Sequence, residues 1–561
     1  MAEVKTVTLT INDRKVTVPA GTLVIEATRH LGIEVPSFCY YPGLSLQAAC
    51  RMCLVEVEKA PKLQTACTLV AMDGMVVHTD TAQVHQARKS MLEFLLTNHP
   101  LDCPVCDKGG ECELQDMTFR YGADSSRFVE EKIHSPEEKW SPVVYYDAPR
   151  CILCFRCVRV CDEGMGVKAL GVGQRGALSV IIPNRDDHLD CEECGMCIDI
   201  CPVGALTSGT YRYKTRPWEM NYVGTACGHC SNGCKATLSV RNNLILRANN
   251  RDLSGINKEF LCVKGRFGFD FVHHPDRLKQ PLVRRNGALQ PATWEDALAE
   301  VASRLKQVRD AHGQDAIGFI GSNRTSNEEN YLLNRFARAV VGTNNVDHHR
   351  TADYAGLVQA LGERASVSMA TMADLGAAKA ILLIGNDPTE QHPLVAWQIR
   401  NNIRLHRARL YVINSQPIKL RPQATSFTQI PAGSEGKFAA FLAGNDGAAD
   451  ASSAQTWTVL RDKLRGEQNL VIVFGSEIRG DAIAHLVAFG SAIPGAKFIC
   501  LADYANSRGA ADMGLYPDLL PGYHPTAGSS DFHKEWGDIP QTAGLDISGM
   551  VEAAKSGKLE A

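Results

Sequence analysis

The chain has 561 residues and twenty cysteines, unevenly spread: nineteen lie from Cys39 to Cys262, and only Cys500 follows. Cys39, Cys50, Cys53 and Cys67 are spaced C-x10-C-x2-C-x13-C. His99 precedes Cys103, Cys106 and Cys112, spaced C-x2-C-x5-C. Cys151, Cys154, Cys157 and Cys161 run C-x2-C-x2-C-x3-C; Cys191, Cys194, Cys197 and Cys201 repeat that run and close on Pro202. Cys227, Cys230, Cys234 and Cys262 are spaced C-x2-C-x3-C-x27-C. A secreted disulfide scaffold would be shorter, with its cysteines more evenly spread. Closely spaced thiols in a reducing compartment point to metal instead.

The repeated run matches the bacterial two-cluster ferredoxin spacing, in which each fourth cysteine serves the other cluster. The expected sets are therefore crossed. One [4Fe–4S] falls on Cys151, Cys154, Cys157 and Cys201, and a second on Cys191, Cys194, Cys197 and Cys161. The first group suits a [2Fe–2S], whose irons each take two sulfurs. A four-cysteine zinc site uses the same C-x2-C pairs and stays open at this point. In the group of His99, Cys103, Cys106 and Cys112 an imidazole replaces one thiolate. That makes a [4Fe–4S] site less anionic and favours its reduced form. Cys227, Cys230, Cys234 and Cys262 are read as a further [4Fe–4S], again with zinc as the competitor. One [2Fe–2S] and four [4Fe–4S] clusters need twenty ligands, which nineteen cysteines and His99 supply. Cys500, in the apolar run AKFICLAD, is left as a buried structural thiol. GVGQRG at 171–176 fits G-x-G-x-x-G, but a dinucleotide fingerprint needs a strand before it and a helix after it. ALSVIIP reads as a strand, so no nucleotide is expected there. No Walker loop occurs, and no complete substrate site is evident.

These ligands need small domains to hold them. Residues 6–19 read as two alternating strands around Asn12-Asp13. Residues 22–31 read as a helix with Thr22 as N-cap. Strand-like LVEVE and MVVHT complete a small mixed sheet. Residues 82–98 read as an amphipathic helix, and 122–142 as a polar linker or surface loop. Beyond residue 280 the apolar runs AIGFIG, AILLIGN, LYVIN, NLVIVFG and KFICLAD alternate with helical segments, the pattern of buried parallel strands. Residues 443–455 read as an exposed loop or disordered insert. The expected fold is multidomain α+β and α/β: a [2Fe–2S] domain over 1–80, a His/Cys cluster domain over 81–121, a two-cluster ferredoxin-like domain over 143–216, another [4Fe–4S] domain over 220–277, and an α/β domain over 278–561. A net charge of −3 gives no reason to expect nucleic acid or a membrane surface as partner. No run of 18 apolar residues or signal-peptide core occurs, so the cytoplasm is expected.

The segments CRMCLVEVE, HPLDCPVCDKGGECELQD, RCILCFRCVRVCDE and CPVGAL resemble the family of large iron–sulfur subunits (G subunits) of respiratory complex I, the NADH–quinone oxidoreductases. The resemblance implies a β-grasp [2Fe–2S] domain followed by [4Fe–4S] domains and a molybdopterin-oxidoreductase-like domain. It implies electron transfer from a flavin (NADH-binding) subunit, along the clusters and through other iron–sulfur subunits, toward quinone. Membrane contact at the inner face would come only through partners. FLCVKGRFGFDFVHHPDRLKQPLVRR, EENYLLNRFARAVVGTNNVD and GNDPTEQHP resemble NAD-linked formate dehydrogenase catalytic subunits as well. Common complex I versions carry one [4Fe–4S] where this chain has two, which leans toward formate dehydrogenase or hydrogenase relatives. Formate dehydrogenases, however, place Cys or selenocysteine on molybdenum, followed by His. The corresponding positions here hold Asp353 and Tyr354, and no cysteine lies in 263–499. A molybdenum–pterin centre is therefore not expected, although nitrate-reductase-like relatives do use aspartate. Lys264, which in molybdenum enzymes bridges cluster and pterin, is read as a surface charge or hydrogen-bonding residue. Relatives continue past SGKLEA into another strand and domain, so a short form, or completion by a partner, is expected. The alternatives to the complex I reading are a formate-dehydrogenase-like molybdenum enzyme and the electron-transfer module of a soluble hydrogenase or diaphorase.

Overall fold

A computed structural model describes residues 5–528 and 530–561, so the first four residues of the expected 1–80 segment lie outside it. The chain forms two compact units. The first comprises Met1–Thr225, Ala236–Leu253 and Lys258–Gly268; the second comprises Ala226–Lys235, Ser254–Asn257 and Phe269–Ala561. Among the described residues no helix is long and apolar enough to cross a membrane.

In the first unit, β1 (Thr6–Ile11) and β2 (Arg14–Pro19) pair antiparallel. Asn12 and Asp13 turn between them at φ 46° and 62°, the left-handed region these two side chains tolerate in tight hairpins. Helix α1 (Val24–His30) crosses a five-stranded sheet of order β2-β1-β5-β3-β4, with β3 (Leu54–Val57), β4 (Gln64–Thr65) and β5 (Val76–His78). Leu9, Ile11, Val24, Ala27, Val55 and Val77 share its core. Thr22 does not cap the helix; its hydroxyl donates to the Pro19 carbonyl at 2.7 Å, and the helix begins after Leu23. Helix α2 (Ala82–Leu96) is capped by Thr81 and ends before His99, and α3 (Glu113–Tyr121) follows Cys112. The 122–142 stretch is more ordered than a linker. Arg127 forks onto Glu93 at 2.7 and 2.6 Å, and β6 (Glu138–Lys139) pairs with β7 (Val144–Tyr146). The duplicated region holds α4 (Arg156–Arg159), the antiparallel hairpin β8 (Leu170–Gly173) and β9 (Val180–Pro183), α5 (Met196–Ile200), and β10 (Leu206–Ser208), which returns to β7. GVGQRG starts in β8 and runs into the hairpin connection, after which come a single 3-10 turn (Gly176–Leu178) and β9, with no following α-helix. A sheet of β11 (Asn221–Ala226), β12 (Lys235–Arg241) and β13 (Leu244–Asn249) precedes α6 (Val263–Phe267).

The second unit opens with the hairpin β14 (Leu282–Arg285) and β15 (Ala288–Pro291), then α7 (Trp294–His312). β16 (Phe319–Gly321) comes from the AIGFIG run, but it pairs in parallel with β17 (Val346–His348) outside the large sheet. Between them lies α8 (Asn327–Arg335), and α9 (Tyr354–Leu361) follows. The large sheet is all parallel, order β20-β19-β18-β21-β22, with β18 (Ala380–Ile384), β19 (Arg409–Asn414), β20 (Ser426–Gln429), β21 (Leu470–Phe474) and β22 (Lys497–Cys500). Residues 443–455 are not a disordered insert. Arg461 ties Asp446 at 2.6 Å, Ala448 and Ala449 pack on the core, and a helix starts at Ala454. Leu382, fully buried at the centre of β18, packs with Leu357, Tyr411 and Ile472. Leu382→Ala should destabilise this unit by about 2–5 kcal/mol, through lost transfer energy and the cavity left behind. A thermal unfolding midpoint equal to the parent's would contradict that.

Candidate metal centres

The two ferredoxin runs fold into the same turn twice. In the first, Leu153 and Phe155 are left-handed (φ 50° and 59°); in the second, Glu193 and Gly195 are (φ 50° and 71°). The Leu153 N–H donates to the Cys151 sulfur at 3.4 Å, and the Glu193 N–H to that of Cys191 at 3.3 Å. Such N–H···S bonds favour the thiolate a metal needs. Each turn then enters a short helix, α4 or α5. Glycine is required at 195 because a Cβ there would run into the Arg266 and Phe267 side chains.

Cys151, Cys154, Cys157 and Cys201 line one cavity, together with apolar Ile152, Ile181 and Val203. Cys161 lies instead with Cys191, Cys194 and Cys197, on all three of which its charge acts. Burial pushes the Cys151 thiol up to about 11 and the Cys154 and Cys194 thiols to about 12. Thiolates this buried need a cationic partner. The Ala169 N–H donates to the Cys161 sulfur at 3.2 Å.

In the first group the sulfurs meet directly: Cys39 with Cys50 and Cys67, and Cys53 with Cys67. Sharing protons, Cys39 and Cys53 are driven down while Cys50 and Cys67 are driven up. The Phe38 N–H donates to the Cys50 sulfur at 3.3 Å.

His99, Cys103 and Cys112 line a second cavity, with Leu96, Leu114 and Phe119. Cys106 is not among its lining residues; its sulfur lies against Gly204 and takes a hydrogen bond from Arg150. Burial, assisted by Arg150, pushes His99 down to about 4, so the ring is neutral. His99 Nδ1 is buried without a hydrogen-bond partner. A neutral ring with an orphaned nitrogen beside two thiols fits a metal-bound group.

Cys227, Cys230 and Cys234 belong to the second unit. There the Cys227 N–H donates to the Cys234 carbonyl at 2.8 Å, and Asn232 Nδ2 to the Cys234 sulfur at 3.0 Å. Cys262 belongs to the first unit, at the N-terminus of α6, with Lys264 exposed two residues on. Among the described residues no three His, Cys, Asp or Glu side chains converge as single-ion ligands do. An iron–sulfur group has its ligands around several irons and supplies one-electron redox chemistry. Asp353 caps α9: Oδ1 accepts from the Gly356 N–H and Oδ2 from the Gly480 N–H, each at 2.9 Å. Tyr354 donates to the Met369 sulfur at 2.9 Å. Cys500 is half-buried, and burial pushes it up to about 12.

Sequence reasoning missed the cations that tie these loops together. Arg156 donates to Glu113 at 2.7 Å and to the Ser37 carbonyl at 2.8 Å, joining the loops of three ligand groups. Glu111 takes Arg247 and Arg251; Asp199 takes Arg251 and Arg266. Arg266 also donates to the Cys194 carbonyl at 2.8 Å. The available signal was two arginines inside the ligand run CFRCVRVC.

The chain matches five protein families along its length. These are a 2Fe-2S iron-sulfur cluster binding domain (residues 4–82), the NADH-ubiquinone oxidoreductase-G iron-sulfur binding region (88–127), the NADH-quinone oxidoreductase subunit 3 ferredoxin-like domain (141–207), the molybdopterin oxidoreductase Fe4S4 domain (220–274) and molybdopterin oxidoreductase (277–483). It is 37% identical to NADH-quinone oxidoreductase G subunit 2 of Rhizobium meliloti, over 98% of this chain and 68% of that protein. It is 36% identical to the NADH-quinone oxidoreductase G subunit of Streptomyces coelicolor, over 99% and 68%. It is 33% identical to the NADPH-Fe(3+) oxidoreductase alpha subunit of Geobacter sulfurreducens, over 99% and 70%.

Proposed function

The chain belongs to the family of NADH-quinone oxidoreductase G subunits, and from that we propose that it carries electrons through five iron–sulfur clusters, from a flavin subunit toward quinone. It is an oxidoreductase subunit with an electron-transfer role. The ligand sets are Cys39, Cys50, Cys53 and Cys67 for a [2Fe–2S], and four [4Fe–4S] sets: His99 with Cys103, Cys106 and Cys112; Cys151, Cys154 and Cys157 with Cys201; Cys191, Cys194 and Cys197 with Cys161; and Cys227, Cys230 and Cys234 with Cys262. We divide the chain at 1–80, 81–121, 143–216, 220–277 and 278–561. Other iron–sulfur subunits flank it, and it meets the inner face of the cell membrane only through partners. Molybdenum is not part of the site. That reading is supported by Asp353, whose two oxygens both take backbone N–H groups.

The observation that carries the proposal is the crossed grouping, Cys201 with Cys151, Cys154 and Cys157, and Cys161 with the later three. Elemental analysis of the anaerobically purified chain tests it. One [2Fe–2S] and four [4Fe–4S] predict about 18 irons and as many sulfides, with no zinc or molybdenum. Stoichiometric molybdenum would overturn the pure electron-wire reading. The 33% identity to an NADPH-Fe(3+) oxidoreductase subunit favours one second reading, an electron-transfer module of an assembly without quinone. The two are told apart by whether membrane subunits co-purify.

A further inference from the structure

Arg159 ends α4 between two proposed ligands, Cys157 and Cys161, and is only 7% exposed. Its guanidinium donates to four main-chain carbonyls: Nε to Phe155 at 3.2 Å, Nη1 to Ser45 at 2.5 Å, and Nη2 to Cys39 at 2.5 Å and to Cys154 at 3.2 Å. One nitrogen thus bridges a cysteine of the two-iron set and a cysteine of the first four-iron set. The same loop is held again nearby, where Glu163 accepts from the Ser45 N–H at 2.7 Å and from its hydroxyl. A buried guanidinium bonded only to carbonyls is expensive unless negative charge stands close. A purely structural staple of carbonyls would need donors but no charge.

We propose that Arg159 is a positioning residue that locks the Cys39 loop onto the Cys154 turn, setting the gap between the [2Fe–2S] and the first [4Fe–4S], and that its charge raises the reduction potential of both. The inference rests on the ligand sets proposed above. Fixing that gap matters because electron tunnelling weakens steeply with distance. The charge matters because reduction adds a negative charge beside it.

The test uses the full purified chain, comparing Arg159→Gln and Arg159→Lys with the parent. The readouts are iron and sulfide content, redox-titrated EPR, and spin–spin broadening between the two reduced centres. With content unchanged, Arg159→Gln should shift both midpoints negative. The reduced-to-oxidised ratio at fixed ambient potential should fall by about tenfold, or about 59 mV for one electron. The broadening should weaken. Arg159→Lys should restore the potentials but not the broadening, because an ammonium keeps the charge without the planar fork that reaches several carbonyls. Parent-like potentials and broadening in a fully loaded Arg159→Gln chain would overturn the proposal. Should that variant lose its iron, parent-like broadening in Arg159→Lys would overturn it equally. Missing iron in the parent would instead sink the ligand assignment.

Discussion

Cys201→Ala should remove the iron held with Cys151, Cys154 and Cys157 and spare the iron held by Cys191, Cys194 and Cys197, its neighbours in sequence. The chain lowers Cys201 into the cavity lined by the earlier three, whereas Cys161 lies among the later three. Both groups bury thiols whose deprotonated form is disfavoured without metal, so three remaining sulfurs hold a cube poorly. The decisive readout is additivity, since substitutions within one site are redundant and those in separate sites sum. Cys201→Ala combined with Cys154→Ala should cost about four irons in all, but combined with Cys194→Ala about eight. A loss of four irons from the Cys201/Cys194 pair would mean that each run of cysteines serves itself, and the crossed assignment would fall.

Sequence reasoning reached the parts of this molecule that are local. C-x2-C spacing fixes where two sulfurs can point, so the groups could be listed before any fold was known. The turns that present them are local as well: Phe155 and Gly195 adopt the same left-handed conformation in the two halves. What could not be read is why only the second is glycine, because the Arg266 side chain that demands it lies far along the chain. Strands β18 and β21 were legible as unbroken apolar runs because they are buried on both faces. β20 was not, because SFTQ is a half-polar edge strand, and neither was β17, a three-residue VDH strand without an apolar run; AIGFIG does form the parallel strand β16, but an apolar run does not name its neighbour. Thr22 looked like a cap by residue type, yet its hydroxyl is spent on Pro19. The arginines escaped for the same reason. Arg159 acquires its role only when Cys39, 120 positions earlier, folds against it.

His99→Cys should keep the cluster and lower its potential, while His99→Ala should lose it. The imidazole is neutral where it stands, since burial, with Arg150 adding to it, holds its pKa near 4. Exchanging it for a thiolate adds one negative charge to a buried site, and the reduced state, already the more anionic, suffers more. Histidine ligation raises cluster potentials in the Rieske case, and the reverse exchange here should lower the midpoint by on the order of 100 mV. Arg150, which bonds the Cys106 sulfur and is itself paired with Asp102 at 2.6 Å, offsets part of that charge and so limits the drop without changing its sign. His99→Ala offers no such exchange. It leaves Cys103 and Cys112 on one cavity wall with Cys106 toward Gly204, and iron content should fall by about four. Full iron and an unshifted midpoint in both variants would show that the ring is not a ligand. Its orphaned Nδ1 would then need a partner other than iron, because a buried nitrogen left unbonded carries the full cost of its desolvation.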